Sequence, residues 1–524
     1  MTHPVSVHDG AGAVAVTPHH LATAAALDRL RTGGNAVDGA IAANAMLGMV
    51  LPDTCGIGGD LFALVHRPGS AAPDVLNASG RGGSGLDAAA LRAAGHDRPP
   101  LRSAHAVTVP GCVDGWETLL ARYGAGTLDE AAADAVAVGR EGFEVSVELA
   151  DSLERIHDLI GDEPSAAALY PQGRPPPAGT VLRRPDLADT LERIGTDGRS
   201  AFYEGPVAAA ISTATGGVVS EDDLAENRPD WVDPISVDVF GARGWTVPPN
   251  SQGYLTLATL AIFEQLAWAD DPEDPLFHHG LIEAYRAVAW ERDDLVADPA
   301  RTPHPSSFLV DRDRLTERSR ALDREAVAVW DTSEPVPGGT AYLCVVDADG
   351  MAVSLIQSNF TGIGSGLGAG NTGVFLHNRG AGFTTEAGHP NEAAPGRRPL
   401  HTLAPTLWTE EDRATMVLGT RGGHQQPQYL SQVAAAVLAA EKEAPEAQSQ
   451  PRWHIDQPGG AGSVVSVEAR MPERVVDGLE RRGHTVTVGP DLPAAWGPVS
   501  MIRIGATRTG AADPRVSTAT AAGD

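Results

Sequence analysis

From Ala341 to Ile356 apolar side chains occupy both faces of the chain. Tyr342, Cys344 and Val346 alternate with Ala341, Leu343 and Val345, and neither set is polar. A strand with one wet face would place a polar residue at every second position. The pattern therefore predicts two strands, 341–347 and 351–356, in a sheet covered on both sides, joined by the turn Asp347-Ala348-Asp349-Gly350. Upstream, residues 12–17 read as a strand. Pro18 then opens a helix that ends near Arg31 before Gly33-Gly34. Residues 36–50 are apolar almost throughout and stop before Pro52, which predicts a buried helix, and LFALVH (61–66) reads as a strand. Helices to about residue 160 mix Ala, Val and Leu with acids in the manner of amphipathic packing units. Residues 163–184 contain PQGRPPPAG, an exposed loop, and the C-terminal stretch from about 505, rich in Thr, Ala and Gly, reads as a flexible tail.

Composition narrows the function. A chain of 524 residues with 42% hydrophobic content can bury a large core. Its formal net charge of −29 repels phosphate backbones and anionic lipid, so neither nucleic acid nor a membrane surface is an expected partner. Three cysteines, Cys55, Cys112 and Cys344, form no disulfide framework and no metal-type pair, and each lies in an apolar or glycine-rich setting suited to a core residue. No apolar run reaches the roughly 20 residues of a membrane span. MTHPVSVHDGAG lacks the regions of a signal peptide, and the expectation is a cytoplasmic protein.

Several motifs carry no chemistry on inspection. Gly80-Arg81-Gly82-Gly83-Ser84-Gly85 matches G-x-G-x-x-G, but the acidic residue required about 20 positions later is absent, which rejects a dinucleotide site. The glycine-dense stretch 362–373 is not followed by Gly-Lys-Ser/Thr, so it is no P-loop. His278-His279 are adjacent and would point to different helix faces, which argues against a metal pair. Ser251 has no base near it in sequence.

Gly338-Gly339-Thr340 immediately precedes the two strands. Around it lie HHLA, GGNAVDGA, Pro52 with GIGG, VPG (109–111), Ser358-Asn359, RPLHTLAPT (398–406) and GTRGG (419–423), in that order. From about residue 10 to about 505 this series resembles the γ-glutamyltranspeptidase (γ-glutamyltransferase) family of N-terminal nucleophile hydrolases. The resemblance implies a four-layer αββα sandwich and a proenzyme that cuts itself between Gly339 and Thr340. The products would be a large subunit, 1–339, and a small catalytic subunit, 340–524, held together as a heterodimer, with further oligomerisation left open. The chemistry of such a cut is direct. A threonine hydroxyl is a weak nucleophile that needs a base, and scission gives Thr340 an α-amino group with a pKa of about 7.7–8.0. Nucleophile and base then share one residue, and no metal or organic cofactor is required.

The resemblance assigns further roles. Ser358 would touch the new α-amino group, and the backbone of Gly422 and Gly423 would hold the oxyanion. Arg81 would clamp a substrate carboxylate. The family's other substrate-binding positions are altered here: Phe360 stands for an asparagine, Arg379 for a glutamine, Gly382 for the aspartate that meets the α-ammonium, and His401 and Thr402 for two serines. A carboxylate-binding set of Arg81, Arg379, His401 and Thr402 without an ammonium partner favours an acidic acyl donor, such as the dicarboxylic acyl groups taken by cephalosporin acylase-like amidases, over the γ-glutamyl donors of glutathione metabolism. The acyl acceptor would be water or an amine. A secondary-metabolism acyl hydrolase and an unprocessed, non-catalytic binder of a small acid are the alternatives.

Overall fold

The computed structural model describes residues 5–330, 339–459 and 464–524. Gly338 lies outside the described residues. Two seven-stranded antiparallel sheets face one another. The first runs, edge to edge, Thr520–Gly523, Val14–Thr17, Gly339–Val346, Ala352–Phe360, Asp60–His66, Asp74–Ala78 and Asp230–Val232. The second runs Ser6–Gly10, Arg508–Ala512, Val499–Ile504, Arg413–Thr420, Thr406–Glu410, Ala242–Thr246 and Ile235–Val239.

The two-sided apolar pattern dictates the layers. Tyr342, Cys344 and Val346 point between the sheets, where they meet Trp245, Leu407, Val417 and Ile502 of the second sheet. Ala341, Leu343 and Val345 point the other way, into a core built with the helices His20–Arg31 and Ala36–Val50. All fifteen residues of Ala36–Val50 are buried, and a reciprocal cap between Asn35 and Asp38 starts that helix. The outer face of the second sheet is covered by Tyr254–Leu266, Pro275–Ala289 and Gln426–Leu438. Helix, sheet, sheet, helix is the four-layer sandwich that the resemblance implied. The three cysteines are buried and free. Among the described residues no helix is long and apolar enough to cross a membrane.

The C-terminal tail is a correction. Residues 508–512 and 520–523 are strands, one in each sheet, and Thr520–Gly523 pairs with Thr17–Val14. Composition misled because small residues suit a strand packed tightly beneath a helix, where main-chain hydrogen bonds rather than side-chain bulk do the ordering. Between these strands Asp513 is buried against Arg452 (2.5 Å) and Arg515 (3.1 Å), and Arg515 also meets Glu468 at 2.6 Å. Burial alone would raise the Asp513 pKa, but attraction to Arg452 and Arg515 more than reverses this and leaves it lowered. A carboxylate with a depressed folded-state pKa contributes stability above its unfolded value, about 3.9, and loses it as pH falls further. Asp513→Ala leaves Arg452 without its hydrogen-bonded carboxylate and Arg515 with Glu468 alone, and is expected to cost roughly 3–5 kcal/mol at pH 7. Urea unfolding should show that deficit at pH 7 and a smaller one at pH 3.

Candidate active site

Thr340 lies at the start of its strand, one residue after Gly339, and is 1% exposed. The ladder to the neighbouring strand is regular from Ala341 onward but shifts register between Gly339 and Ala341. An irregularity of this kind re-aims the backbone where pairing ends. Gly339 sits opposite Phe360, a non-glycine residue with φ of 72°, and strained backbone of this sort clusters at functional sites. Ser358 gathers three groups there. Its Oγ donates to the Gly339 carbonyl at 2.6 Å and accepts from the Phe360 N–H at 2.7 Å and from Thr340 Oγ1 at 3.3 Å. The hydroxyl of Ser358 thus polarises the carbonyl of the Gly339–Thr340 peptide bond and touches the adjacent nucleophile.

From the second sheet, Gly422 and Gly423 form the turn between strand Arg413–Thr420 and helix Gln426–Leu438. Their φ values are 130° and 57°, a region that glycine enters freely. The turn leads into a helix N-terminus, where backbone N–H groups and the dipole favour negative charge. The first residue of that helix, Gln426, donates from Nε2 to Thr340 Oγ1 at 3.4 Å and accepts from the Ala404 N–H at 3.0 Å.

Beside this junction opens a cavity of about 250 Å³. Phe360, Gly382, Arg379, Thr402 and His424 form its inner wall, and Arg98, Arg292 and Asp293 also line it. Arg379 is 1% exposed. Its Nη1 donates to Thr402 Oγ1 at 3.0 Å and the guanidinium stacks 4.0 Å from the centroid of the Phe360 ring. Nε and Nη2 are buried and have no hydrogen-bond partner among the described residues. Burial lowers the Arg379 pKa to about 9, partly offset by Asp60, so the group stays charged at neutral pH. A buried cation with two idle donors is costly unless an anion completes it.

The expectations for Arg81 and His401 as substrate ligands need correction, because neither lines the cavity. The Arg81 guanidinium is held by Asp230 at 3.0 Å, Asp298 at 3.7 Å and the Gly396 carbonyl at 3.2 Å. His401 is fully buried with Nε2 at 3.1 Å from Asp60 Oδ2. Its Nδ1 accepts from the Leu403 N–H, so Nε2 carries the proton toward Asp60. Burial, then Arg379, push the His401 pKa down to about 3, and it remains a neutral structural donor. Asp60 is also the cross-strand neighbour of Ser358, so this buried pair braces the strand that carries the hydroxyl. Thr402 and Arg379 do line the cavity. The glycine at 382 is explained by crowding: a Cβ there would lie 2.5 Å from the Leu400 carbonyl oxygen, so an aspartate would require the backbone to move. The false dinucleotide motif has a similar cause, since a Cβ on Gly80 would meet the Val109 carbonyl oxygen at 1.5 Å.

Four residues of this region carry no prior expectation of a substrate role: Gln426, His424, Arg292 and Arg98. The first two lie within three positions of Gly423, and that proximity was a usable signal. The two arginines come from distant loops that only folding brings together.

The sequence model of the gamma-glutamyltranspeptidase family matches residues 22–523. The chain belongs to the γ-glutamyltranspeptidase family. It is 34% identical over 515 residues to the glutathione hydrolase-like YwrD proenzyme of Bacillus subtilis, covering 97% of each chain. It is 32% identical over 522 residues to the oxamate amidohydrolase proenzyme of Klebsiella pneumoniae, covering 97% of this chain and 98% of the other. Among solved structures, the cephalosporin acylase of Bacillus halodurans superposes with a TM-score of 0.91 at 32% identity, covering 98% of this chain and 96% of that one. The chain is therefore an N-terminal nucleophile hydrolase of the γ-glutamyltranspeptidase family whose relatives include amidohydrolases and acylases.

Proposed function

We propose that the chain is a self-processing amidohydrolase that cuts itself before Thr340 and then removes a carboxylate-bearing acyl group from an amide. The observation that carries this reading is the pair of idle buried N–H groups on Arg379, in a cavity whose wall adjoins Gly339 through Phe360. A second support is Gly382, which places no carboxylate at that position of the cavity wall. The names of the similar proteins, an oxamate amidohydrolase and a cephalosporin acylase among them, are compatible with acyl donors that are acids without being γ-glutamyl groups.

In this mechanism Thr340 Oγ1 first attacks the Gly339 carbonyl, which the Ser358 hydroxyl polarises. The nitrogen of Thr340 leaves as an amine, and the resulting ester is hydrolysed. The liberated α-amino group, with a pKa near 7.7–8.0, then accepts the Oγ1 proton as the hydroxyl attacks the substrate amide. The Gly422–Gly423 turn and Gln426 stabilise charge on the tetrahedral intermediate, the amine leaves, and water or a second amine releases the acyl group. Ser358→Ala removes the donor on the Gly339 carbonyl, and its processing half-time on denaturing gels is expected to lengthen roughly 10²-fold.

Hydrolysis of glutaryl-p-nitroanilide compared with γ-glutamyl-p-nitroanilide by the processed protein tests the substrate class. Preference for the glutaryl compound is expected, and a strong preference for the γ-glutamyl compound would overturn the reading.

A further inference from the structure

His424 is 7% exposed and directly follows the Gly422–Gly423 turn. Its ring nitrogens have different surroundings. Nδ1 faces Nη1 of Arg292 in a short contact. A guanidinium has only donors, so Nδ1 must be the acceptor and the proton must reside on Nε2. That Nε2–H is buried and has no partner among the described residues. Arg292 is itself fixed by Asp293 and by the Gln252 Oε1 at 3.0 Å. The Gln252 Nε2 in turn donates to the carbonyls of Thr402 and Gly423, at 3.0 and 3.1 Å. One buried amide thus couples the tautomer of His424 to the glycine turn and to the threonine that holds Arg379.

The inner wall of the cavity is consequently made of donors. Arg379 and His424 both line it, and Nε and Nη2 of the first and Nε2–H of the second are buried without a partner among the described residues. Positive charge on Arg292, Arg379 and Arg98 reaches the ring, and with burial it drives the His424 pKa well below its usual value, so protonation does not add a second N–H. The acids of the lining stand at the rim: Asp293 is paired with Arg292, Asp294 is 78% exposed near His389, and Glu386 is exposed.

From this arrangement we infer that His424 is a specificity-determining residue that reads the carbon next to the donor's carboxylate. Together with Arg379 it selects acids bearing an acceptor oxygen there, a 2-oxo or 2-hydroxy group, over the corresponding 2-amino acids. A carboxylate on Arg379 and a neighbouring carbonyl or hydroxyl on Nε2–H would satisfy all three idle donors. An ammonium would set donors against donors and a cation against three guanidinium groups. The inference rests on the proposed acidic acyl donor and adds the identity of its 2-substituent.

Calorimetric titration of the processed protein with glutarate, 2-oxoglutarate, 2-hydroxyglutarate and L-glutamate tests it without requiring turnover. One hydrogen bond from a buried neutral donor is worth about 1 kcal/mol or somewhat more, so 2-oxoglutarate or 2-hydroxyglutarate should bind roughly 10-fold tighter than glutarate. L-glutamate should bind weakest. His424→Phe should erase the difference between 2-oxoglutarate and glutarate, and His424→Asn, which keeps an N–H, should restore part of it. Nitrogen-15 spectra of the histidines should contain, beside the neutral Nε2–H ring of His401, a second ring held as the Nε2–H tautomer from pH 8 to pH 5 that His424→Asn removes. Equal affinity for glutarate and 2-oxoglutarate, tightest binding of L-glutamate, or a preference that survives His424→Phe would each overturn the inference while leaving the acidic-acyl reading intact. Should none of the four acids bind, both fall together. The wild-type series is decisive even if the phenylalanine variant does not fold.

Discussion

Thr340→Ala should leave the protein as one chain of 54.4 kDa with no measurable amidase activity. The wild type should instead give two fragments of 339 and 185 residues, the smaller beginning Thr-Ala-Tyr-Leu. Two functions are lost in a single substitution. Alanine has no hydroxyl to attack Gly339, so the α-amine is never released, and even a chain cut by other means would lack its nucleophile. Removing the nucleophile of a covalent mechanism typically costs about 10⁶ in kcat, which is the scale expected here. Thr340→Ser keeps the hydroxyl and should still process. Intact-mass spectrometry with N-terminal sequencing is the measurement. Full-length wild-type protein that hydrolyses amides without cleavage would disprove the role given to Thr340. The fold itself should survive, because among the described residues the Thr340 side chain makes two long hydrogen bonds, at 3.3 and 3.4 Å, and the surrounding ladder does not depend on them.

Arg379→Met is expected to reduce kcat/KM for an acidic acyl donor by roughly 10²–10³, the 2–5 kcal/mol that attends loss of one member of a buried charge pair. The loss should fall mainly on KM, since the guanidinium holds a part of the substrate remote from the scissile bond. Processing should proceed, because Gly339 is polarised by Ser358 and not by Arg379. Methionine keeps much of the stem that lies over Phe360, so lost packing is limited, and removing an unpaired buried cation is expected to raise rather than lower the unfolding free energy. Arg379→Lys should not rescue, because an ammonium cannot present two parallel donors. Steady-state kinetics on glutaryl-p-nitroanilide beside thermal unfolding would separate these effects. Unchanged kcat/KM in Arg379→Met would remove the cavity's claim to the acyl group.

Local patterns carried much of the architecture. The helix Ala36–Val50 has the bounds its apolar run and following proline predict. The two-sided strand at Gly339–Val346 required a sheet covered on both faces, and it has one. The tail was misjudged because strand pairing over some 500 residues of separation leaves no mark on local composition. His401 was misjudged for a related reason. Its motif position suggested contact with substrate, yet whether a histidine faces a cavity or a buried carboxylate depends on Asp60, 341 residues away in sequence.

The amino-acid sequence by itself determined which residue could become an N-terminal nucleophile, which strands must be buried on both sides, and that the usual partner for an α-ammonium is missing at residue 382. The strands follow from short-range periodicity, whereas Thr340 and residue 382 stand out only through the resemblance of the surrounding motifs to the family. The tertiary structure alone decided which cations are free. Arg81 and Arg379 look equivalent along the chain, but folding places Asp230 and Asp298 around the first and leaves two donors of the second buried without a partner. Charge neutralisation and desolvation depend on distances through space, so the selectivity of the site is written in contacts between segments far apart in the chain.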